Sequence, residues 1–446
     1  MQIAIIGAGT VGYAVARILS SQHSVLVVEE DEKRYEHVIN TLNVGAMNAN
    51  GASPKVLQRV MKEKIDLFLA VTERDETNVF ACLVAKQIRP EAITVARMRD
   101  HDYTQGSKVS EFLGVDDIIS PEYLIAAKMK KLAMLRNAVD HESMPSLGLE
   151  IARFRVPGNG RTAIPITGLS LPRDCRILSI RRGGEILLPE EYENLVCGDE
   201  VVVIGDEAGI VQFDRVLGVG KRAQDILIVG GSIIADYLLC MLENEKVSVR
   251  LIEKNEARCR ELARKFDGVV IINDNGTDPL VLRNENVGNT DVLVCTTNNE
   301  EGNLLACLVG KHLGVSKTVT MYSKQEYRDI FQMAGIDAAV GYYGVVANEI
   351  VKKTVPDFEV VLLMNGAKEE LISLKVGSRN RLRDVRLGDA KLPDRTSIAA
   401  VISDGTVIIP DPDTHIMDGD TLLIYADRSD ISVLERMFHV NIPVSP

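Results

Sequence analysis

Four continuously apolar runs stand out in the first hundred residues: QIAIIG (2–7), VLVVE (25–29), IDLFLAVT (65–72) and AITVAR (92–97). Runs of this length without polar alternation suit strands buried on both faces, as in a parallel sheet. Amphipathic stretches separate them: one through Ser21, one over 32–42, one from Pro54, one over 76–88 and one at about 104–113. Weaker strand signals near 44–47 and 116–120 complete a strand–helix alternation that predicts an α/β, doubly wound, Rossmann-like sheet. Pro121 is placed to open a long helix to about Arg136, a crossover into whatever follows. From about 140 the pattern changes. LEIARFRV (149–156), CRILSIRRGGEIL (175–187) and DEVVVIGD (199–206) are short strands joined by Gly/Asp turns, the mark of a small α+β domain ending near 220.

The whole pattern then restarts. DILIVGGSIIADYLLC (225–240) repeats the opening strand, turn and helix, and VSVRLIE (247–253) repeats the second strand. ACLVAK (81–86) returns as ACLVGK (306–311), and Gly51, Thr72 and Asn78 return in register as Gly276, Thr297 and Asn303. The small domain also recurs, LPRDCRILSIRRGGEILLPE as LPDRTSIAAVISDGTVIIPD. Matches kept in order and register mark an internal duplication. Four domains are expected: 1–122 and 225–345 as doubly wound sheets, 140–222 and 360–443 as accessory α+β domains.

Composition narrows the function. Tryptophan is absent and aromatics make up 4%, so the cores rest on aliphatic residues. A net charge of -12 argues against a broad grip on nucleic acid, which needs a concentrated basic footprint. The 7 cysteines form no CxxC pair and sit mostly in apolar runs, so they read as small buried hydrophobes and predict no metal. No run of 18 apolar residues is present, and the first residues already form strand and glycine loop rather than a signal peptide.

Between first strand and first helix lies Gly7-Ala8-Gly9-Thr10-Val11-Gly12, a complete G-x-G-x-x-G. In that setting the first glycine permits a tight turn, the second admits a pyrophosphate, and the third lets helix and strand approach. The amides of the helix N-terminus then face the phosphates. Glu29 ends the second strand, where a carboxylate accepts from adenosine ribose hydroxyls and repels a 2′-phosphate, favouring NAD+ or NADH over NADP(H). The second copy reads Gly230-Gly231-Ser232-Ile233-Ile234-Ala235, with Glu253 matching Glu29. Serine at the middle position takes room beside the phosphates while offering a hydroxyl, so this copy is either a second site or a structural duplicate. Thr72, Thr297 and Arg97 fall at C-terminal ends of strands, where the crevice of such a sheet opens. Each is suited to ligand contact or to loop capping, and Arg97 would neutralise phosphate charge. Asp75, Glu76 and Asn78, with Glu300, Glu301 and Asn303, are suited to capping the helices that follow.

Catalysis has no evident apparatus. A dehydrogenase presents an acid–base residue beside the nicotinamide, and none of the 7 histidines connects to the crevice. Nor does the chain carry H-E-x-x-H, a nucleophile elbow or a phosphate-binding lysine loop. Three readings stay open: a nucleotide-responsive regulatory subunit, a nucleotide-sensing scaffold that controls a transporter, and an NAD-dependent oxidoreductase.

The order GAGTVG, VVEED, VTERDETNVFACLVAK, ARMRD, DDIISPE, followed by a small β-rich domain and then both again, resembles the RCK/KTN family, the regulators of potassium conductance. The resemblance spans essentially the whole chain. It implies a non-catalytic gating subunit, cytoplasmic and peripheral to the inner face of the cell membrane, beside a membrane potassium channel or transporter subunit. It also implies homo-oligomers, a dimer or tetramer ring, and NAD, or ATP or ADP, as the nucleotide. Carried over by position, Gly7, Gly9 and Gly12 serve the pyrophosphate and Glu29 the ribose. Thr72 and Arg97 lie beside the crevice, and Gly230, Glu253 and Thr297 match in the second half. This chain departs in having Glu29 where many relatives have Asp, Ser232 in the second glycine loop, and Ala49-Asn50-Gly51 where relatives often have a G-D-A loop. Replacing Glu29 by alanine is expected to weaken NAD(H) by about 1.5–3 kcal/mol, read by calorimetric titration; an unchanged affinity would remove Glu29 from the site.

Overall fold

The structure is a computed structural model that describes residues 1–20, 23–100, 112–158, 163–166, 169, 171, 175–189, 192–218, 222–324, 326–354, 360–363, 369–378 and 380–438. The helix expected at about 104–113 lies largely outside them. The chain divides into two compact units, one of residues 1–125 and 342–354, the other of 126–341 and 355–444.

In the first unit the strands are β1 (Gln2–Ile6), β2 (Ser24–Glu29), β3 (Gly45–Asn48), β4 (Leu67–Ala70), β5 (Ile93–Arg97) and β6 (Asp117–Ile119). They form one parallel sheet in the order β3-β2-β1-β4-β5-β6. The chain therefore reverses its direction of winding beside β1, and the crevice opens there, outside the strand ends. Ile3, Ala4, Ile5 and Ile6 are buried throughout, as a strand covered on both faces requires. Helices α1 (Thr10–Leu19), α2 (Glu32–Thr41), α3 (Pro54–Val60) and α4 (Asp75–Ile88) cover the faces. Asp31 caps α2 by accepting from the Arg34 N–H, and Pro54 sits in the first turn of α3. The helix Tyr342–Thr354, far away in sequence, packs against α1.

The second unit repeats the sheet, in the order Val269–Asn273, Ser248–Glu253, Asp225–Val229, Val292–Cys295, Lys317–Tyr322, Ala338–Gly341. Both accessory domains are five-stranded antiparallel sheets. The first runs Glu185–Leu187, Cys175–Arg182, Glu200–Gly205, Leu149–Arg155, Ala138–Met144. The second runs Thr406–Ile408, Thr396–Ser403, Thr421–Asp427, Glu369–Lys375, Val360–Leu363, the same order strand for strand. The two sheets share a core in which Ile151, Val202 and Ile204 of one meet Leu371, Leu423 and Tyr425 of the other. Five cysteines (82, 175, 259, 295 and 307) are buried, and burial pushes the Cys175 thiol up to about 12. No group of His, Cys, Asp or Glu among the described residues is arranged to hold a metal ion. No described helix is long and apolar enough to cross a membrane.

The crossover helix Pro121–Met134 straddles the division, its residues from Ala126 belonging to the second unit. Its end is tied down by Lys317, at the start of a buried strand. Burial works against a charge on this ammonium, yet its Nζ donates to the carbonyls of Leu132, Leu135 and Ala138 at 2.6, 2.5 and 2.6 Å. Those carbonyls belong to the last turn of the helix and the chain leaving it, groups a helix end leaves without intrahelical donors. Lys317→Met keeps the length of the side chain and removes all three donors. It is expected to cost about 3 kcal/mol of unfolding free energy in urea titration, whereas a loss below about 0.5 kcal/mol would show that the carbonyls are satisfied otherwise.

Candidate functional site

Each doubly wound sheet carries a glycine loop at its switch point. Gly7 has φ +95°, and a Cβ there would stand 3.0 Å from Thr72 Cγ2; Gly230 has φ +102° and faces Thr297 in the same way. These are positions for glycine on both conformational and steric grounds. At Gly12 an added Cβ would lie 1.8 Å from the Gly7 carbonyl oxygen, the close helix–strand approach expected of a third glycine. Gly9 differs. Its φ is -63°, and the nearest heavy atom to an added Cβ is Arg34 Nη1 at 3.5 Å, so nothing in the chain itself demands glycine there. Ser232, the matching residue, fits at φ -72° and caps its helix, Oγ accepting from the Ala235 N–H at 3.3 Å. Its hydroxyl is thus turned to the helix terminus.

The acidic residues behave alike in both halves. Glu29 is buried, with Oε2 accepting from the Ala8 N–H at 2.5 Å and Oε1 from the Asp31 N–H at 2.8 Å. Glu253 accepts from Gly231 N–H at 2.7 Å and Asn255 N–H at 2.8 Å. Each carboxylate therefore fastens the glycine loop to the start of the next helix. Each residue's backbone carbonyl accepts from the loop after the third strand, Glu29 from Asn48 and Ala49, Glu253 from Asn273 and Asp274.

In the second unit a cavity of about 850 Å³ brings together Gly230, Gly231, Ser232, Glu253 and Thr297, with Asn275-Gly276-Thr277 and Arg258 on its walls. In the first unit a cavity of about 370 Å³ gathers Ala8, Gly9 and Thr10 with Tyr13, Lys33, Arg34, His37 and Glu73, so that, contrary to the expectation from sequence, one histidine does reach the crevice, brought there by α2. Both volumes fall within the roughly 300–1,000 Å³ of small-molecule sites. The remaining residues expected at the first site stand behind this cavity rather than on its walls. Val11 and Gly12 are buried in α1, and Thr72 backs Gly7.

Arg97 is turned to another use. Its guanidinium is buried, 2.7 Å from Glu122 and 3.3 Å from the Tyr342 hydroxyl. Burial opposes its charge, but the adjacent Glu122 carboxylate outweighs that and holds the guanidinium protonated. Desolvation and the same carboxylate push the Tyr342 phenol up. Arg97 thus joins the end of β5 to the starts of two crossover helices.

Two asparagines carry more than helix capping. Asn78 is fully buried; its Oδ1 accepts from the Thr72 N–H and hydroxyl at 2.8 and 2.7 Å, and its Nδ2 donates to the carbonyls of Thr72 and Arg97. Asn303 holds Thr297 in the same manner. Asp75 accepts from the Arg99 and Asp100 amides and Glu300 from that of Ser323, so these acids tie down the loop after the fifth strand. Only the recurrence of a strand-ending Thr with Asn six residues on, in both halves, hinted at the asparagine latch.

A parallel doubly wound sheet with a glycine loop, a fastening carboxylate and a polar cavity at the switch point defines a nucleotide-binding module, here present twice with an accessory sheet after each. The TrkA-N domain model matches residues 3–121 and again 226–341, and the TrkA-C domain model matches 371–439. The chain belongs to the TrkA/RCK family. The first accessory domain lies outside the matched residues but has the strand order of the second. The chain is 30% identical over 449 residues to Trk system potassium uptake protein TrkA homolog 2 of Methanosarcina mazei, covering 98% of this chain and all of that protein. It is 31% identical over 442 residues to the TrkA homolog of Archaeoglobus fulgidus, at 98% and 100% coverage. Among solved structures it is similar in fold to the GsuK channel bound to NAD, with a TM-score of 0.64 and 18% identity over 98% of this chain and 79% of that one.

The glycines make opposite demands, and the difference is measurable. Gly12→Val is expected to destabilise the chain by about 2–3 kcal/mol, while Gly9→Ser stays within about 0.5 kcal/mol of the parent. Urea unfolding of the two variants checks this, and equal losses would contradict the geometry.

Proposed function

We propose that this chain is the nucleotide-binding regulatory subunit of a potassium uptake system, peripheral to the cytoplasmic face of a membrane potassium transporter or channel and without catalytic activity of its own. The observation that carries the reading is the pair of switch-point cavities built on glycine loops and fastening carboxylates, in a chain that matches the TrkA relatives from end to end. NAD+ or NADH, and ADP or ATP, are the ligands this reading assigns; relatives of the same fold have been solved with NAD and with ADP bound. Gly7, Ala8, Gly9, Thr10, Val11, Gly12, Glu29 and Thr72 form the first site in this proposal. Gly230, Gly231, Ser232, Glu253 and Thr297 form the second, and Arg97 acts behind the first by positioning. The domains run 1–122, 140–222, 225–345 and 360–443.

Homo-oligomers, a dimer or tetramer ring, belong to the same proposal. On α4, Phe80 and Leu83 are 45% and 41% exposed, and the matching Leu305 and Leu308 are 47% and 38% exposed. The same apolar positions left open in both halves suit contact with a second copy of the chain, since isolated monomers seldom leave such faces uncovered.

Deleting the gene should abolish growth at limiting external potassium, with wild type restoring it and Gly12→Val failing to. Undiminished uptake in the deletion strain would refute the role, and rescue by Gly12→Val would separate it from the first glycine loop.

A further inference from the structure

The two accessory sheets meet through a shared core, and strand Cys175–Arg182 of one packs against Thr396–Ser403 of the other, its own counterpart in the repeat. A surface that meets its own copy forms an isologous interface, in which each contact occurs twice with the partners exchanged. The sequence repeat aligns Arg181 with Ile402, Ser179 with Ala400 and Ile204 with Tyr425. Strand register adds Leu149 with Glu369. Ile151 lies opposite Ile204 as Leu371 lies opposite Tyr425, and each of the two stands two residues further along its strand.

Exchanging the partners does not preserve the chemistry. Arg181 of the first domain forms an ion pair with Glu369 of the second, whose side chain is 2% exposed. The exchanged contact joins the positions of Ile402 and Leu149, and both of these stand in the shared apolar core. Beside this pair the Ser179 hydroxyl donates to the Tyr425 hydroxyl at 3.5 Å, whereas the exchanged positions, Ala400 and Ile204, again belong to the apolar core. Arg176 donates to the Pro410 carbonyl at 2.9 Å, and its counterpart is the much shorter Ser397. One side of the seam is therefore polar and the other apolar, and each domain supplies half of each.

We propose that this seam is coded for unlike pairing: each accessory domain fits the accessory domain of the other half and rejects a like copy. Two first domains placed together would set Arg181 against Leu149 twice. Two second domains would set Glu369 against Ile402 twice and strand two buried carboxylates. A buried ion pair is most costly when one partner is missing. Discrimination of this kind rests on the mismatch built against the wrong partner as much as on the contact made with the right one. The code is the same whether the two domains come from one chain or from two, so any assembly of copies that uses this seam alternates the two halves. It lies in the accessory domains and is independent of the nucleotide reading.

The test exchanges the code within the full-length chain and follows the urea midpoint by circular dichroism. Glu369→Leu/Ile402→Arg gives the second domain the code of the first, and Leu149→Glu/Arg181→Ile gives the first domain the code of the second. Either double variant forces a like pairing and is expected to lower the midpoint by about 1 M or more, or to leave no folded chain. The quadruple variant restores unlike pairing with the roles reversed and is expected to recover most of that loss. Arg153, which also faces Glu369, keeps Glu200 in every variant. A quadruple variant no more stable than either double would overturn the proposal, since the losses would then be local to each position. Double variants that keep the wild-type midpoint would overturn it as well.

Discussion

The carboxylate at the end of the second strand is the constraint on which both crevices depend. One oxygen of Glu29 takes an amide of the glycine loop, the other takes the Asp31 amide just ahead of α2, and its backbone carbonyl receives the loop after β3. Glu253 repeats all three contacts. Three loops that would otherwise wander independently are thus referred to a single side chain, and the cost of ordering them is met before any ligand arrives. A glutamate reaches both amides from a buried stem. The same contacts mean that removing the carboxylate alters the shape of the loop as well as its affinity for ribose.

Duplication preserved this frame and left the walls free to diverge. The latches of Asn78 and Asn303 hold the fourth strand's end alike, and the accessory sheets have the same strand order. What differs sits on helix surfaces beside the cavities, half-buried at Tyr13, Asp236 and Arg258 and exposed at Lys33 and Arg34. An arginine held between Asp236 and Glu261 in one half faces open solvent and a weak partner in the other. One backbone frame thus carries walls of different side-chain composition in its two halves.

Much of the fold was legible because parallel strands buried on both faces are written as continuous apolar runs, and because the glycine loop combines conformational and steric demands at fixed spacing. The sites were legible only where a residue's role is local. Gly7 and Gly12 declare themselves within six residues. Arg97 does not: its partner Glu122 lies beyond the next strand, and Tyr342 comes from the other half of the chain. Ser232 read as taking room beside the phosphates while offering them a hydroxyl, since spacing alone does not reveal that this hydroxyl caps the helix. The wall of Tyr13, Lys33, Arg34 and His37 was invisible because it arises from two helices that face one another only after the sheet forms. The spacing of Asn78 within α4 looked like a cap, but its buried side chain instead bridges two strand ends.

Within the first unit the crevice is physically continuous with the crossover helices. Gly7 packs on Thr72; Thr72 is held by Asn78; Asn78 donates to the Arg97 carbonyl; and the Arg97 side chain holds Glu122 and Tyr342, the opening residues of two long helices. Breaking a buried ion pair by removing one partner costs about 3–5 kcal/mol, so Arg97, Glu122 and Tyr342 resist separation and shift as a set. A nucleotide acts on this set only through unequal affinity for its arrangements. The glycine loop is the place for that inequality to enter, because the Ala8 amide, the Glu29 carboxylate and the Gly7–Thr72 contact belong to one connected frame. A sensor needs such a path, from a loop rigid enough to register a ligand to helices that start at its far end.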